Sequence, residues 1–170
     1  MTHQTPIEER SGRLLEHLKR LRDDRGAMAN LRRGFSPATE HRAWPWVAQW
    51  CDLNDDRLRA IVTSVAAAFA THPELATEGN LGLTMREIAH GRDGGEKALE
   101  SFEPRFRRFL TCQSSAEVCQ RLPGVIRAAA QRGVGIDYRQ LFIDLCYWGD
   151  RVKLRWAEAF WGQPPQRETT

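Results

Sequence analysis

The chain has 170 residues, 41% of them hydrophobic, with 25 Lys and Arg against 22 Asp and Glu for a formal net charge of +3. That length accommodates one domain or two small lobes sharing a core, and it buries enough surface to fold without disulfides or a metal. No apolar run reaches the ~18 residues of a membrane span and the first residues hold no apolar signal core, so the expected location is the cytoplasm with no membrane contact.

Taken in chain order, the hydrophobic period is close to 3.6 almost throughout. Thr5-Pro6-Ile7-Glu8 predicts a helix start, with Thr5 as cap and Pro6 at the first helical position. Leu14, Leu15, Leu18 and Leu21 stripe that helix. A short helix begins near Arg25-Gly26 and ends at Arg32-Arg33-Gly34. Asn54-Asp55-Asp56 opens a long amphipathic helix carrying Leu58, Ile61, Val62, Val65 and Phe69 at helical spacing. Residues 71–82 and 91–95 are candidate joints.

Phe102, Phe106, Phe109 and Leu110 mark the next helical stripe. Ser114-Ser115-Ala116-Glu117 is a capping pattern, and Pro123 is expected to restart a helix bearing Val125, Ile126, Ala129 and Ala130. Gly133 and Gly135 punctuate its end. Asp137 opens a helix with Tyr138, Leu141, Phe142, Leu145 and Trp148 inward, and after Gly149-Asp150 a last helix places Val152, Trp156 and Phe160 on one face. No alternating strand pattern occurs. The expected fold is all-α, a two-lobed helical bundle with lobes at 1–92 and 96–163 and a frayed tail at 164–170.

Catalytic chemistry is not visible. Phosphate-loop, dinucleotide, nucleophile-elbow and zinc-protease motifs are all missing. Cys51, Cys112, Cys119 and Cys146 are widely spaced and read as buried apolar thiols, and the five histidines have no ligand spacing. Asp55-Asp56 favours a helix N-terminus over a metal site. Trp44, Trp46, Trp50, Trp148 and Trp156 read as core or interface residues ahead of a base-stacking set. We therefore expect no enzyme, no cofactor and no metal.

The charge is more informative. Of the 25 basic residues 22 are Arg, whose planar fork suits phosphates and interface ion pairs. Residues 10–33 carry a net +5, residues 34–104 a net −5, and residues 105–155 a net +6. Two basic stretches thus flank an acidic middle, and if both face one side they form a polyanion track. An arginine-rich face neutralised by neighbouring acids is the alternative. At ~100° per residue, Arg105 and Arg108 fall opposite the apolar stripe of their helix and Arg107 on its flank. Arg121, Arg127 and Arg132 continue the positive surface, and Arg151, Lys153 and Arg155 add a patch.

These features together resemble a known family. Gly26-Ala27-Met28-Ala29-Asn30-Leu31-Arg32-Arg33-Gly34 matches the G-x-x-A-x-L-R-R-G element near the front of the CasB family, the small subunit of the type I-E CRISPR surveillance complex, Cascade. Phe106-Arg107-Arg108-Phe109-Leu110 resembles that family's Arg-bearing helix. The segment from Asp137 to Tyr147-Trp148, leading into Val152-Lys153-Leu154-Arg155-Trp156 and Phe160, resembles its C-terminal pattern. The similarity covers most of 13–162.

The resemblance implies a non-catalytic helical protein, paired with a second copy of itself beside the other Cascade subunits and the guide RNA. Its basic face would hold opened target DNA, chiefly the displaced non-target strand. Carried over by position, the phosphate-clamping residues are Arg32 and Arg33, then Arg105, Arg108 and Arg121, then Arg151 and Lys153. Two other classes remain open. A helix-turn-helix regulator would need a tight turn where Pro123 sits, and a protein-interaction scaffold would use the same arginines on acidic partners.

Overall fold

A computed structural model of the chain describes residues 6–91 and 96–162. Within them the chain is helical, with one isolated parallel bridge between Leu75 and Ile136. The helices are α1 (Ile7–Leu21), α2 (Arg25–Arg32), the single turn α3 (Trp44–Val47), α4 (Asp56–Thr71), α5 (Leu81–His90), α6 (Glu96–Leu110), α7 (Ser115–Arg132), α8 (Tyr138–Cys146) and α9 (Asp150–Trp161). Short 3₁₀ turns at Arg33–Phe35, Glu40–Arg42 and Ala48–Trp50 fill the stretch between α2 and α4.

The helix starts follow side-chain chemistry. Asp24, Asp55, Asn80, Ser114 and Asp137 each accept the backbone N–H three residues on, which satisfies an orphan donor and contributes about 1 kcal/mol apiece. At Ser114 the capping pattern is extended, because the Glu117 carboxylate accepts the Gln113 N–H at 2.7 Å. Two expectations shift. Thr5 lies outside the described residues and Pro6 occupies the cap, so α1 begins one residue later, at Ile7. Pro123 does not restart a helix: α7 runs through it for 18 residues. Proline removes one N–H from the ladder, and the long packing of α7 on α4 holds the helix across that gap.

α4 is the hub. Every residue from Ile61 to Ala70 is buried, and α2, α7 and α8 pack around it. Its alanines keep the packing close, and Gly34 sits so near that an added Cβ would lie 2.9 Å from the Thr63 carbonyl oxygen. α1 lies on α8, while α5 lies between α6 and α9. At Gly82 the backbones of α5 and α9 nearly touch, and an added Cβ would fall 2.8 Å from Trp156 Cα.

The joint after α4 is fastened rather than loose. Ala76 N–H donates to the Ile136 carbonyl and Ile136 N–H to the Glu74 carbonyl, both at 3.1 Å. His72 Nε2 meets the Val134 carbonyl at 2.7 Å, and the Tyr138 hydroxyl donates to the carbonyls of Ala68 and His72. The joint placed at 91–95 falls largely on 92–95, outside the described residues, as does the tail beyond 162. The segments on either side share one hydrophobic core.

The tryptophans are part of that packing. Trp156 is fully buried and donates to Asp144 Oδ2 at 2.8 Å, while Trp148 donates to the Cys112 carbonyl at 3.0 Å. The 44–50 stretch is tied to α1: the Trp46 carbonyl meets His17 Nε2 at 2.8 Å, and the Trp50 carbonyl accepts from Arg10 Nη2 at 3.2 Å. All four cysteines are free and buried, and burial pushes the Cys119 and Cys146 thiols up to about 11.

Candidate nucleic-acid interface

α6 is built as two faces. Phe102, Phe106 and Phe109 point into the core, where Phe106 stacks on Phe160 at 4.1 Å between ring centroids. Arg105 and Arg108 stand on the outer side, both exposed, as the helical period requires. α6 packs mainly on α5, and α7 mainly on α4. Between the outer faces of α6 and α7 the surface opens into a groove.

That groove, about 290 Å³, is lined by Arg105, Arg108 and Arg121 over a floor that includes Phe102, Phe109, Val125 and Gly124. The two helices run antiparallel along it. Arg108 faces Arg121 at one end; at the other Ala98 and Ser101 face Gln131 and Arg132 around an adjoining hollow that shares Arg105. Arg105 lies over the Phe102 ring at 5.4 Å, which holds the side chain against the groove wall. Among the described residues no carboxylate forms an ion pair with Arg105, Arg108 or Arg121. Three positive forks therefore converge on one concave surface, none of them closed into an ion pair among the described residues.

The other cations differ in their engagement. Arg107 is paired with Glu103 at 2.6 Å and lies over the Trp161 ring at 4.9 Å, so its charge is balanced and its fork occupied. Lys153 sits 6.0 Å from the Trp148 ring centroid, Trp148 donates to the Cys112 carbonyl at 3.0 Å, and the Cys112 thiol is hydrogen-bonded by the Arg121 side chain, which places Lys153 toward the Arg121 end. Burial still dominates there and raises that thiol above its ordinary value. Arg151 is exposed at the start of α9 and does not line the groove.

In the first part of the chain Arg32 is at the end of α2, and its Nε donates to the Ala70 carbonyl at 2.9 Å. That bond closes an orphan acceptor in the last turn of α4, so Arg32 carries a structural duty that the sequence conceals. Arg33 is exposed in the 3₁₀ turn that touches both α4 and α7. Neither lines the α6–α7 groove. The seven sequence-predicted residues are thus not one cluster: Arg105, Arg108 and Arg121 are brought together, Lys153 stands near them, and Arg32, Arg33 and Arg151 lie apart.

Sequence reasoning misses Asp144. It is 3% exposed, and each carboxylate oxygen takes a hydrogen bond, Oδ1 from Gln140 at 2.9 Å and Oδ2 from Trp156 at 2.8 Å. Burial raises its carboxyl above the ordinary value, against the lowering effect of those two bonds. The i, i+4 spacing to Gln140 is the available signal. Among the described residues no group of three or more His, Cys, Asp or Glu is arranged to hold a metal, and no helix is long and apolar enough to cross a membrane.

The fold is shared with solved structures. A Cse2-family CRISPR-associated protein of Thermus thermophilus superposes with a TM-score of 0.72 at 26% identity, over 90% of this chain and 98% of that one. A second structure, CasB from Thermus thermophilus, gives 0.69 at 27% identity, over 90% and 98% of the two chains. A chain of a CRISPR RNA-guided surveillance complex shares the fold with a TM-score of 0.72 at 22% identity, over 91% and 93%. Among curated proteins no significant match is found. The family model described as CRISPR-associated protein Cse2 matches residues 27–161, a span from α2 to the end of α9 that includes the groove, and the chain belongs to that family.

Proposed function

We propose that this chain is a non-catalytic subunit of a type I-E CRISPR RNA-guided surveillance complex. In this reading its α6–α7 groove holds the backbone of opened target DNA, chiefly the displaced non-target strand, and so prolongs the R-loop. The observation that carries the reading is the convergence of Arg105, Arg108 and Arg121 on one groove with no ion pair among the described residues. Rigid helical forks over a partly apolar floor suit phosphates and sugars and make no demand on base identity. Exchanging a DNA duplex for an RNA–DNA hybrid is nearly balanced in free energy, so a few backbone contacts decide how long the opened state lasts.

Membership of a larger assembly has separate support. Leu154 is 64% exposed, Tyr147 52% and Trp161 38%, large apolar side chains that neighbouring subunits could cover. Other Cascade subunits, the guide RNA and a second copy of the chain are the partners the reading names.

The test uses the assembled complex on a matched target duplex. Replacing Arg105, Arg108 and Arg121 together with Ala should leave assembly intact and shorten the lifetime of permanganate-reactive thymines in the displaced strand several-fold. An unchanged lifetime in a fully assembled complex would remove the groove from strand holding.

A further inference from the structure

The glycines of this fold mostly have visible reasons. A Cβ at Gly34, Gly82 or Gly135 would strike neighbouring backbone, and Gly79, Gly91 and Gly133 have positive φ. Gly124 has neither reason; Gly12, Gly26 and Gly149 also lack both, but a Cβ at those three would meet ordinary contacts at 3.5–3.8 Å and none of them lines the α6–α7 groove. Gly124 lies inside α7 with no positive φ, it is exposed, and a Cβ added there would meet nothing within 4 Å. Glycine in a helix interior weakens the helix relative to almost any other residue, and here Pro123 beside it weakens α7 further. Nothing in the packing of the chain itself benefits from the missing side chain.

Its position supplies the reason. Gly124 is on the floor of the α6–α7 groove, one helical turn from Arg121 and across from Arg105 and Arg108. We infer that Gly124 is a clearance position, at which the sugar-phosphate chain of a single-stranded nucleic acid passes directly over the α7 backbone while the three arginines clamp its phosphates. The inference rests on the reading above and makes it finer: charge attracts the strand, and the bare backbone at 124 sets how deeply it seats. The groove's volume, about 290 Å³, is at the small end for binding sites, so a side chain projecting from its floor takes up much of the available space. A duplex, convex and wide, presents its phosphates to the groove rim and does not depend on the floor.

Gly124→Leu separates this role from a structural one, because leucine is a strong helix former at an open, exposed site and should raise Tm. The full-length chain is titrated into a 5′-fluorescein-labelled 30-nucleotide mixed-sequence DNA at 50 mM NaCl, followed by anisotropy. Gly124→Leu should weaken binding about tenfold or more, Gly124→Ala should weaken it less, and both should melt at or above the unaltered chain. A 30-base-pair duplex should be bound by Gly124→Leu and the unaltered chain alike. Undiminished single-strand binding by Gly124→Leu, with loss in the Arg105, Arg108, Arg121 triple variant, overturns the clearance role and leaves the strand-holding reading intact. No loss in either variant, or no binding by the unaltered chain, overturns both.

Discussion

The three groove arginines make a prediction in the salt dependence of binding. A phosphate contact to single-stranded DNA releases condensed counterions, and each contributes about 0.7 to the slope of log K against log salt concentration. Arg105, Arg108 and Arg121 line one groove without ion pairs among the described residues, so each has a guanidinium charge to offer one phosphate. Their joint replacement by Ala should flatten the slope by about 2, three contacts at ~0.7 each. Between 50 and 200 mM NaCl the unaltered chain should then lose about 20-fold more affinity than the variant. The control is Arg107→Ala, which removes the same type of charge from the same helix, but one already balanced by Glu103 at 2.6 Å. It should leave the slope unchanged. A slope equally flattened by Arg107→Ala would show that diffuse helix charge matters and the groove does not; an unchanged slope in the triple variant would show that these arginines contact no phosphate.

Other predictions concern the scaffold that positions the groove. Gly82→Ala forces a methyl group onto the backbone of α9 at Trp156, where relaxation needs movement of a whole helix. It should cost about 3 kcal/mol and lower Tm by roughly 6–12 °C in calorimetry, and an unchanged Tm would refute the close approach. Tyr138→Phe removes the hydroxyl that joins α8 to the end of α4 and should cost about 1 kcal/mol in urea unfolding. Asp144 adds a pH dependence. Its carboxyl is raised by burial, so the folded chain keeps this proton to higher pH than the unfolded chain does. Stability from this site is therefore fully present below the ordinary carboxylate range and is lost as pH rises through the raised folded value. Asp144→Asn should flatten that part of a stability–pH profile, whereas an identical profile would place the group in water-like surroundings.

The helical architecture is legible in the sequence because it is written locally. Caps at Asp55, Ser114 and Asp137 and the Phe102–Phe106–Phe109 stripe require only near neighbours, and that stripe by itself turns Arg105 and Arg108 outward. What the sequence hides is set at long range. Arg32 is singled out by the L-R-R element alone, and its hydrogen bond to the Ala70 carbonyl joins residues 38 apart, which that element does not announce. Asp144 counts with the surface charge because its burial depends on Trp156, a helix later. Pro123 reads as a break because proline's local cost is plain, whereas the packing on α4 that offsets it is tertiary. The meeting of Arg121 with Arg105 and Arg108 follows from the antiparallel course of α6 and α7 around one groove, which no spacing rule states.

The most direct test of the account is the nucleic acid that accompanies the chain in its native cell. The tagged protein should be purified under native conditions and the co-purifying RNA sequenced. Short RNAs that share a constant repeat-derived segment and carry variable spacers should be recovered, together with several partner proteins. Recovery of partners without such RNA, or of DNA from one preferred operator sequence, would contradict the account.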